Sequence, residues 1–199
     1  MSKPVATATD HLTASLPPAA GDGPPPPVPG WLRVLALLPL PVLYAITGLL
    51  TWIFRYLVRF RLGIARANVA ACFPDATPRE RARIVNGHYR FMGEMVAEVI
   101  HGARMPAAEY ARRARVLNPE LLQGLLSQGR PVIVVGAHLA NWEWLGNALA
   151  AQLGWPIDVG YKPIRSPWAE RAVFALRSRF GVHLVPAKQL LTDLMKRRN

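Results

Sequence analysis

The sequence predicts an α/β fold: an N-terminal membrane-anchor helix and a helical region, then a mostly parallel sheet with flanking helices. Three observations predict it. Residues 119–198 alternate short apolar runs with helical stretches, the βαβ signature of a parallel sheet. Residues 61–113 carry helical periodicity. Val34 to Phe54 is a run of 21 residues without a charge.

Taken in order, residues 1–30 hold eight prolines, including Pro24 to Pro27, and read as a disordered, polyproline-like tail. The greasy segment starts too late for a conventional signal peptide and lacks a small-residue cleavage pattern. Residues 31–60 read as a membrane anchor, because the uncharged run would span roughly 30 Å as a helix, about the hydrocarbon thickness. Trp31, Trp52 and Tyr56 sit near its ends, where aromatic side chains favour the interface. Pro39 and Pro41 predict a kink. Arg55, Arg59, Arg61 and Arg66 follow the run, against Lys3 and Arg33 before it, which puts residues 61–199 on the cytoplasmic side.

Arg61 to Cys72 reads as a short helix closed by Phe73-Pro74-Asp75. Thr77, Pro78 and Glu80 then form a helix start, with Thr77 as N-cap and Pro78 at the first helical position. Ile84, Val85, His88, Phe91, Met92, Met95, Val96 and Val99 predict one apolar face up to Gly102. A short helix at Pro106 to Arg113 leads to a strand at Arg115 to Leu117. Helices are expected at Pro119 to Gln128, Asn141 to Leu153, Pro167 to Phe180 and Lys188 to Arg198. Between them lie strands at Pro131 to Gly136, Pro156 to Tyr161 and Val182 to Val185.

Composition narrows the function classes. The 199 residues are 51% hydrophobic and carry a formal charge of +12; the mean hydropathy is +0.15 and the isoelectric point near 11.0. A chain both greasy and basic suits anionic membrane surfaces, phosphorylated lipids or acidic partner proteins. Nucleic acid is not expected, since no binding motif accompanies the charge. Cys72 is the only cysteine, which excludes an internal disulfide and a thiolate metal cluster; its setting predicts a packing role.

One stretch carries chemistry. In VIVVGAHLANWE (residues 132–143), an apolar run ends at Gly136, His138 follows, and Glu143 comes five residues later on the next helix. The carboxyl ends of parallel strands are where α/β folds place their sites. There His138 could take a proton from a hydroxyl while Glu143 fixes its tautomer. A helix N-terminus beside them would favour a developing oxyanion. The bland reading makes Asn141 an N-cap and Glu143 a dipole partner. Zinc-protease, nucleophile-elbow and P-loop motifs are absent from the sequence. No metal or organic cofactor is implied. Lys162 and Arg165 lie past the following strand and could hold a phosphate. Arg171, Arg177 and Arg179 read as an exposed basic face, His88 and His183 as core or interface, and Glu94 and Glu98 as structural. Of Trp142 and Trp144, one is expected to pack into the domain.

GRPVIVVGAHLANWEWLGNALA, YKPIRSP and RFGVHLVPAK resemble the late acyltransferases of lipid A biosynthesis, the lauroyl/myristoyl transferase family. NVAACFPDATPRERARIVNGHYRFMGEMVAEVI and WLRVLALLPLPVLYAI resemble that family's preceding helices. The resemblance runs from Trp31 to the end, with the motifs in the family's order. It implies an enzyme of the bacterial inner membrane with its catalytic domain on the cytoplasmic side. The enzyme would move a fatty acyl chain from acyl carrier protein to a hydroxyl of a Kdo-bearing lipid A precursor. His138 would be the base, Glu143 its partner, and Asn141, Lys162 and Arg165 substrate-binding residues. Lys162 stands where many relatives carry Arg, which keeps a cation but loses a bidentate fork. The resemblance also implies a longer chain with a further strand bearing an Asp-Gln pair, so residues 61–199 are expected to be a partial acyltransferase domain. An inactive membrane-bound module that binds anionic lipid or acyl carrier protein is the alternative; another is an acyltransferase for a different glycolipid.

Overall fold

In the computed structural model, residues 26–129, 131–155 and 157–197 are described; the expected Pro-rich tail lies almost wholly outside them. The chain divides into two compact units, Pro29–Met105 and, among the described residues, those from Pro106 onward.

The first unit is helical. α1 spans Gly30–Leu35 and α2 spans Leu40–Tyr56. The expected membrane-spanning helix is corrected here. Residues 36–39 interrupt the uncharged run, and none of the helices is long and apolar enough to cross a membrane among the described residues. The cause is Pro39: it cannot donate a helical hydrogen bond, and it drives Leu38 out of helical geometry. Instead of continuing α1, Pro39 sits at the N-cap of α2.

α3 (Leu62–Cys72) and α4 (Pro78–Gly102) complete this unit. The Thr77 hydroxyl accepts from the Glu80 amide at 3.3 Å, and the Glu80 carboxylate accepts from the Thr77 amide at 2.8 Å. This is the reciprocal cap that the sequence predicts. The Thr77 amide, and after it the Thr77 hydroxyl donating to the same carboxylate at 2.8 Å, hold the Glu80 carboxyl below its ordinary pKa. Val85, Tyr89, Met95 and Ala97 of α4 are buried, and Leu62, Val85 and Tyr89 form one cluster with Ala65 and Val69. Gly93 lets α2 approach closely, since a Cβ there would collide with the Thr51 hydroxyl and stand 3.2 Å from the Thr47 carbonyl oxygen. Glu98 accepts from the Tyr44 hydroxyl at 2.9 Å, and Glu94 pairs with Arg90 at 3.2 Å, so both carboxylates have structural partners. The packing role expected of Cys72 fails in this unit: it is exposed because it is the last residue of α3, beside the Phe73-Pro74 turn. His88 is exposed as well and so lies outside the core.

The second unit holds α5 (Ala107–Arg113), α6 (Pro119–Leu126), a 3-10 turn (Trp142–Trp144), α7 (Leu145–Leu153), β1 (Ile157–Tyr161), α8 (Pro167–Arg177), β2 (Val182–Pro186) and α9 (Leu190–Arg197). β1 and β2 pair in parallel, with Ile157 opposite Val182 and Tyr161 opposite Pro186. Joined through α8, they make one βαβ unit. Gly154 ends α7 at φ +63, the left-handed conformation that glycine adopts without a Cβ penalty. Ala150, Val182 and Leu184 are the buried centre of the core, with Val159 and Phe174 packed against them. On the sheet, Gly160 leaves room for Leu190 of α9, whose Cδ2 would be 3.0 Å from any added Cβ.

The parallel sheet is therefore smaller than expected: two strands among the described residues. Residues 115–117 are not a strand, because the Gln152 side chain takes their neighbouring backbone groups. It accepts from the Val116 amide at 3.0 Å and donates to the Ala114 carbonyl at 2.6 Å. Residues 131–136 are also irregular, with Ile133 84% and Val135 89% exposed. A strand is defined by its pairing, and no neighbouring backbone supplies it here among the described residues.

Candidate active site

The second unit contains a cavity of about 500 Å³. Its lining has two chemistries. His138, Trp142 and Glu143 come from the segment before α7, Lys162 from just past β1, and Arg177 from the end of α8; together they supply the polar part. Leu145 and Gly146 of α7, Val159 of β1, and Val182 and Leu184 of β2 supply the apolar part.

The local backbone explains how His138 and Glu143 reach one cavity. After Gly136 the chain turns through Ala140, whose φ of +48 lies in the left-handed region. A non-glycine residue there costs of order 1–3 kcal/mol and persists only where its surroundings enforce it. The 3-10 turn then brings Trp142 and Glu143 back towards His138. The His138 and Trp142 rings lie 4.9 Å apart, tilted by 56°. Trp144 points the other way: it is 7% exposed and meets the Tyr110 ring edge-on at 5.6 Å. The two tryptophans divide as expected, one packed and one at the cavity.

Glu143 is held differently from the sequence-based expectation. Its carboxylate accepts from Arg177 Nε at 2.7 Å and from an Arg177 terminal nitrogen at 2.6 Å, a bidentate, charge-assisted pair. The Trp142 indole nitrogen donates to the same carboxylate at 3.1 Å. The two charged side chains are mostly shielded, at 26% and 17% relative exposure, so the pair is less screened than a surface one. Among the described residues no hydrogen bond joins Glu143 to His138. Arg177, expected on an exposed basic face, is instead the cation that fixes this carboxylate. Helical spacing gives no hint of it, because its i±3 and i±4 neighbours are Phe174, Phe180, Val173 and Gly181, all uncharged.

Of the other expected site residues, Lys162 lines the cavity, whereas Asn141 and Arg165 are not among its lining residues. Asn141 is half-buried at the N-cap of the 3-10 turn, where its carbonyl accepts from the Trp144 amide at 3.2 Å. Arg165 is exposed in the loop between β1 and α8. That loop is tied by Glu170, which accepts from the Tyr161 hydroxyl at 2.9 Å and from the Ile164 amide at 2.7 Å. Burial, then the hydrogen bond and charge of Glu170, push the Tyr161 phenol up to about 12. Asn147, also on the cavity wall, is 2% exposed; its amide donates to the Leu176 carbonyl at 2.7 Å and ties α7 to α8. His183, expected in the core or an interface, is half-buried and meets Asp158 at 2.8 Å across the β1–β2 pair. No group of three or more His, Cys, Asp or Glu side chains suited to a metal occurs among the described residues.

Residues 28–199 match the sequence pattern of the family described as bacterial lipid A biosynthesis acyltransferases. Curated relatives include the lipid A biosynthesis lauroyltransferase of Escherichia coli (strain K12), 29% identical over 115 residues, which is 57% of this chain and 37% of the relative. They also include the palmitoleoyltransferase of the same organism and a lipid A biosynthesis acyltransferase of Shigella flexneri. Each is 29% identical over 133 residues, 67% of this chain and 42% of the relative. The matched stretch thus spans about two-fifths of these relatives' length. No solved structure matches the chain.

Proposed function

The chain belongs to the bacterial lipid A biosynthesis acyltransferase family, and from that premise we propose that it transfers a fatty acyl chain to a hydroxyl of a lipid A precursor, with acyl carrier protein as donor. His138 takes the proton from the acceptor hydroxyl, and the freed oxygen attacks the thioester carbonyl. The tetrahedral oxyanion then collapses, the carbon–sulfur bond breaks, and the departing thiolate recovers the proton from the imidazolium. Glu143 lines the same cavity as His138, and the bidentate Arg177 holds its carboxylate in place there. Lys162 offers a cation to a phosphate on acceptor or carrier, with Arg165 in the loop beyond it. Asn141 acts through the turn that carries Glu143.

The observation that carries this reading is the shared cavity: an imidazole, an arginine-clamped carboxylate and a lysine open onto apolar walls fit for a hydrocarbon. A site that is mostly apolar with a few convergent polar groups is the usual form of a ligand pocket. The first unit supplies a place on the membrane. Val42, Ile46, Leu49, Leu50 and Leu57 are all exposed along α2 and just beyond it. Arg55, Arg59 and Arg61 lie beside them in sequence. An apolar helix face with adjoining arginines suits insertion parallel to an anionic bilayer surface, which on this reading is the cytoplasmic face of the inner membrane.

Replacing His138 by Ala tests the chemistry. General-base assistance is worth roughly 10²–10⁴ in rate, so acyl transfer by the variant is expected to fall by that factor while membrane recovery stays unchanged. Mass spectrometry of lipid A from a complemented deletion strain reads the outcome. Undiminished acylation by the variant rejects His138 as the base.

A further inference from the structure

Building on the acyl-transfer reading, we propose that Gly146 sets the length of acyl chain that the cavity accepts. The apolar lining of Leu145, Gly146, Val159, Val182 and Leu184 is built where α7 meets β1 and β2. Their side chains offer no hydrogen-bonding group, so this part of the cavity suits a hydrocarbon rather than a sugar or a carrier amide.

Gly146 is an unexpected residue for the first turn of α7. Glycine is a poor helix former, and its backbone conformation here is one that any residue could adopt, since its φ is not positive. A Cβ at this position would stand 3.7 Å from Val159 Cγ2 and 3.7 Å from Val182 Cγ1, ordinary van der Waals contact. One methyl group therefore fits against the valines. A longer side chain must either displace them or occupy the cavity. Because Gly146 is itself part of the lining, filling it removes volume that an acyl chain would use. Leu184, 6% exposed and also in the lining, bounds the same volume from β2.

The test is a competition between dodecanoyl and hexadecanoyl acyl carrier protein for the full chain, with a lipid A precursor as acceptor and products read by mass spectrometry. Gly146→Leu is expected to shift the product ratio towards dodecanoyl by about tenfold, the scale at which apolar pockets discriminate chain length, while transfer of the shorter chain persists. Gly146→Ala, which adds only a contact, is expected to shift it less. An unchanged ratio in folded Gly146→Leu overturns the assignment. If that variant does not fold, Leu184→Phe carries the test, with the same expected direction and the same overturning result. Failure of the unmodified chain to transfer either donor overturns the acyl-transfer reading beneath the proposal, and is distinguishable from a chain that transfers without discrimination at Gly146.

Discussion

Two short apolar runs in the second unit have similar compositions and opposite fates. Val182 to Val185 (VHLV) lies in β2, with Val182 4% and Leu184 6% exposed. Val132 to Val135 (VIVV) is the more β-prone of the two, yet Ile133 and Val135 remain irregular and exposed. Local propensity favours the wrong one. The difference is a partner: β2 has β1 alongside and α7 and α8 packing on it, while residues 131–136 have no ladder among the described residues. Strand propensity measures fit to a pleated, half-buried surface, and only the rest of the fold supplies that surface.

The comparison can be broken most directly by truncation. Leu184→Ala removes buried methyl groups and leaves a cavity, and is expected to cost roughly 2–5 kcal/mol. Ile133→Ala is expected to lie within about 0.5 kcal/mol of no change, as exposed substitutions do. Urea unfolding followed by circular dichroism measures both. Similar losses at the two positions would mean that the VIVV run is packed in solution.

A second contrast sharpens the lesson for helices. Thr77 makes a reciprocal cap at the start of α4, so Thr77→Ala is expected to lower stability by about 1 kcal/mol. Ser166 occupies the corresponding position before α8 but makes no side-chain capping bond, so Ser166→Ala should be close to silent. Equal melting temperatures for the two variants would remove the distinction.

The smallest effect concerns the Tyr161–Glu170 hydrogen bond. The folded phenol titrates at about 12, above its ordinary value of 10.0. A raised pKa means that its contribution is fully present below pH 10 and is lost as pH rises from there through about 12. Ultraviolet titration should show Tyr161 ionising late, as the buried Tyr110 also does, with one late tyrosinate fewer in Tyr161→Phe. A Tyr161 that ionises with the exposed tyrosines argues against the bond.

Much of the cavity's polar lining was legible because it is local. His138, Trp142 and Glu143 fall within seven residues after Gly136, and a turn between apolar segments is enough to bring them to one cavity. Lys162 was legible for the same reason, as the residue after a strand. Arg177 was not, since 34 residues separate it from Glu143 and no periodicity links the two. The expected bond from Glu143 to His138 failed on the same ground: the arginine takes up the carboxylate instead.

Sequence by itself determined the capped start of α4, the prolines that disturb the uncharged run and the β1–α8–β2 alternation, because caps, missing amide protons and hydrophobic spacing act over a few residues. The tertiary structure alone decided which apolar run became a strand and which cation clamped Glu143. Those outcomes depend on groups far apart in the chain, and their distances exist only once the chain has folded.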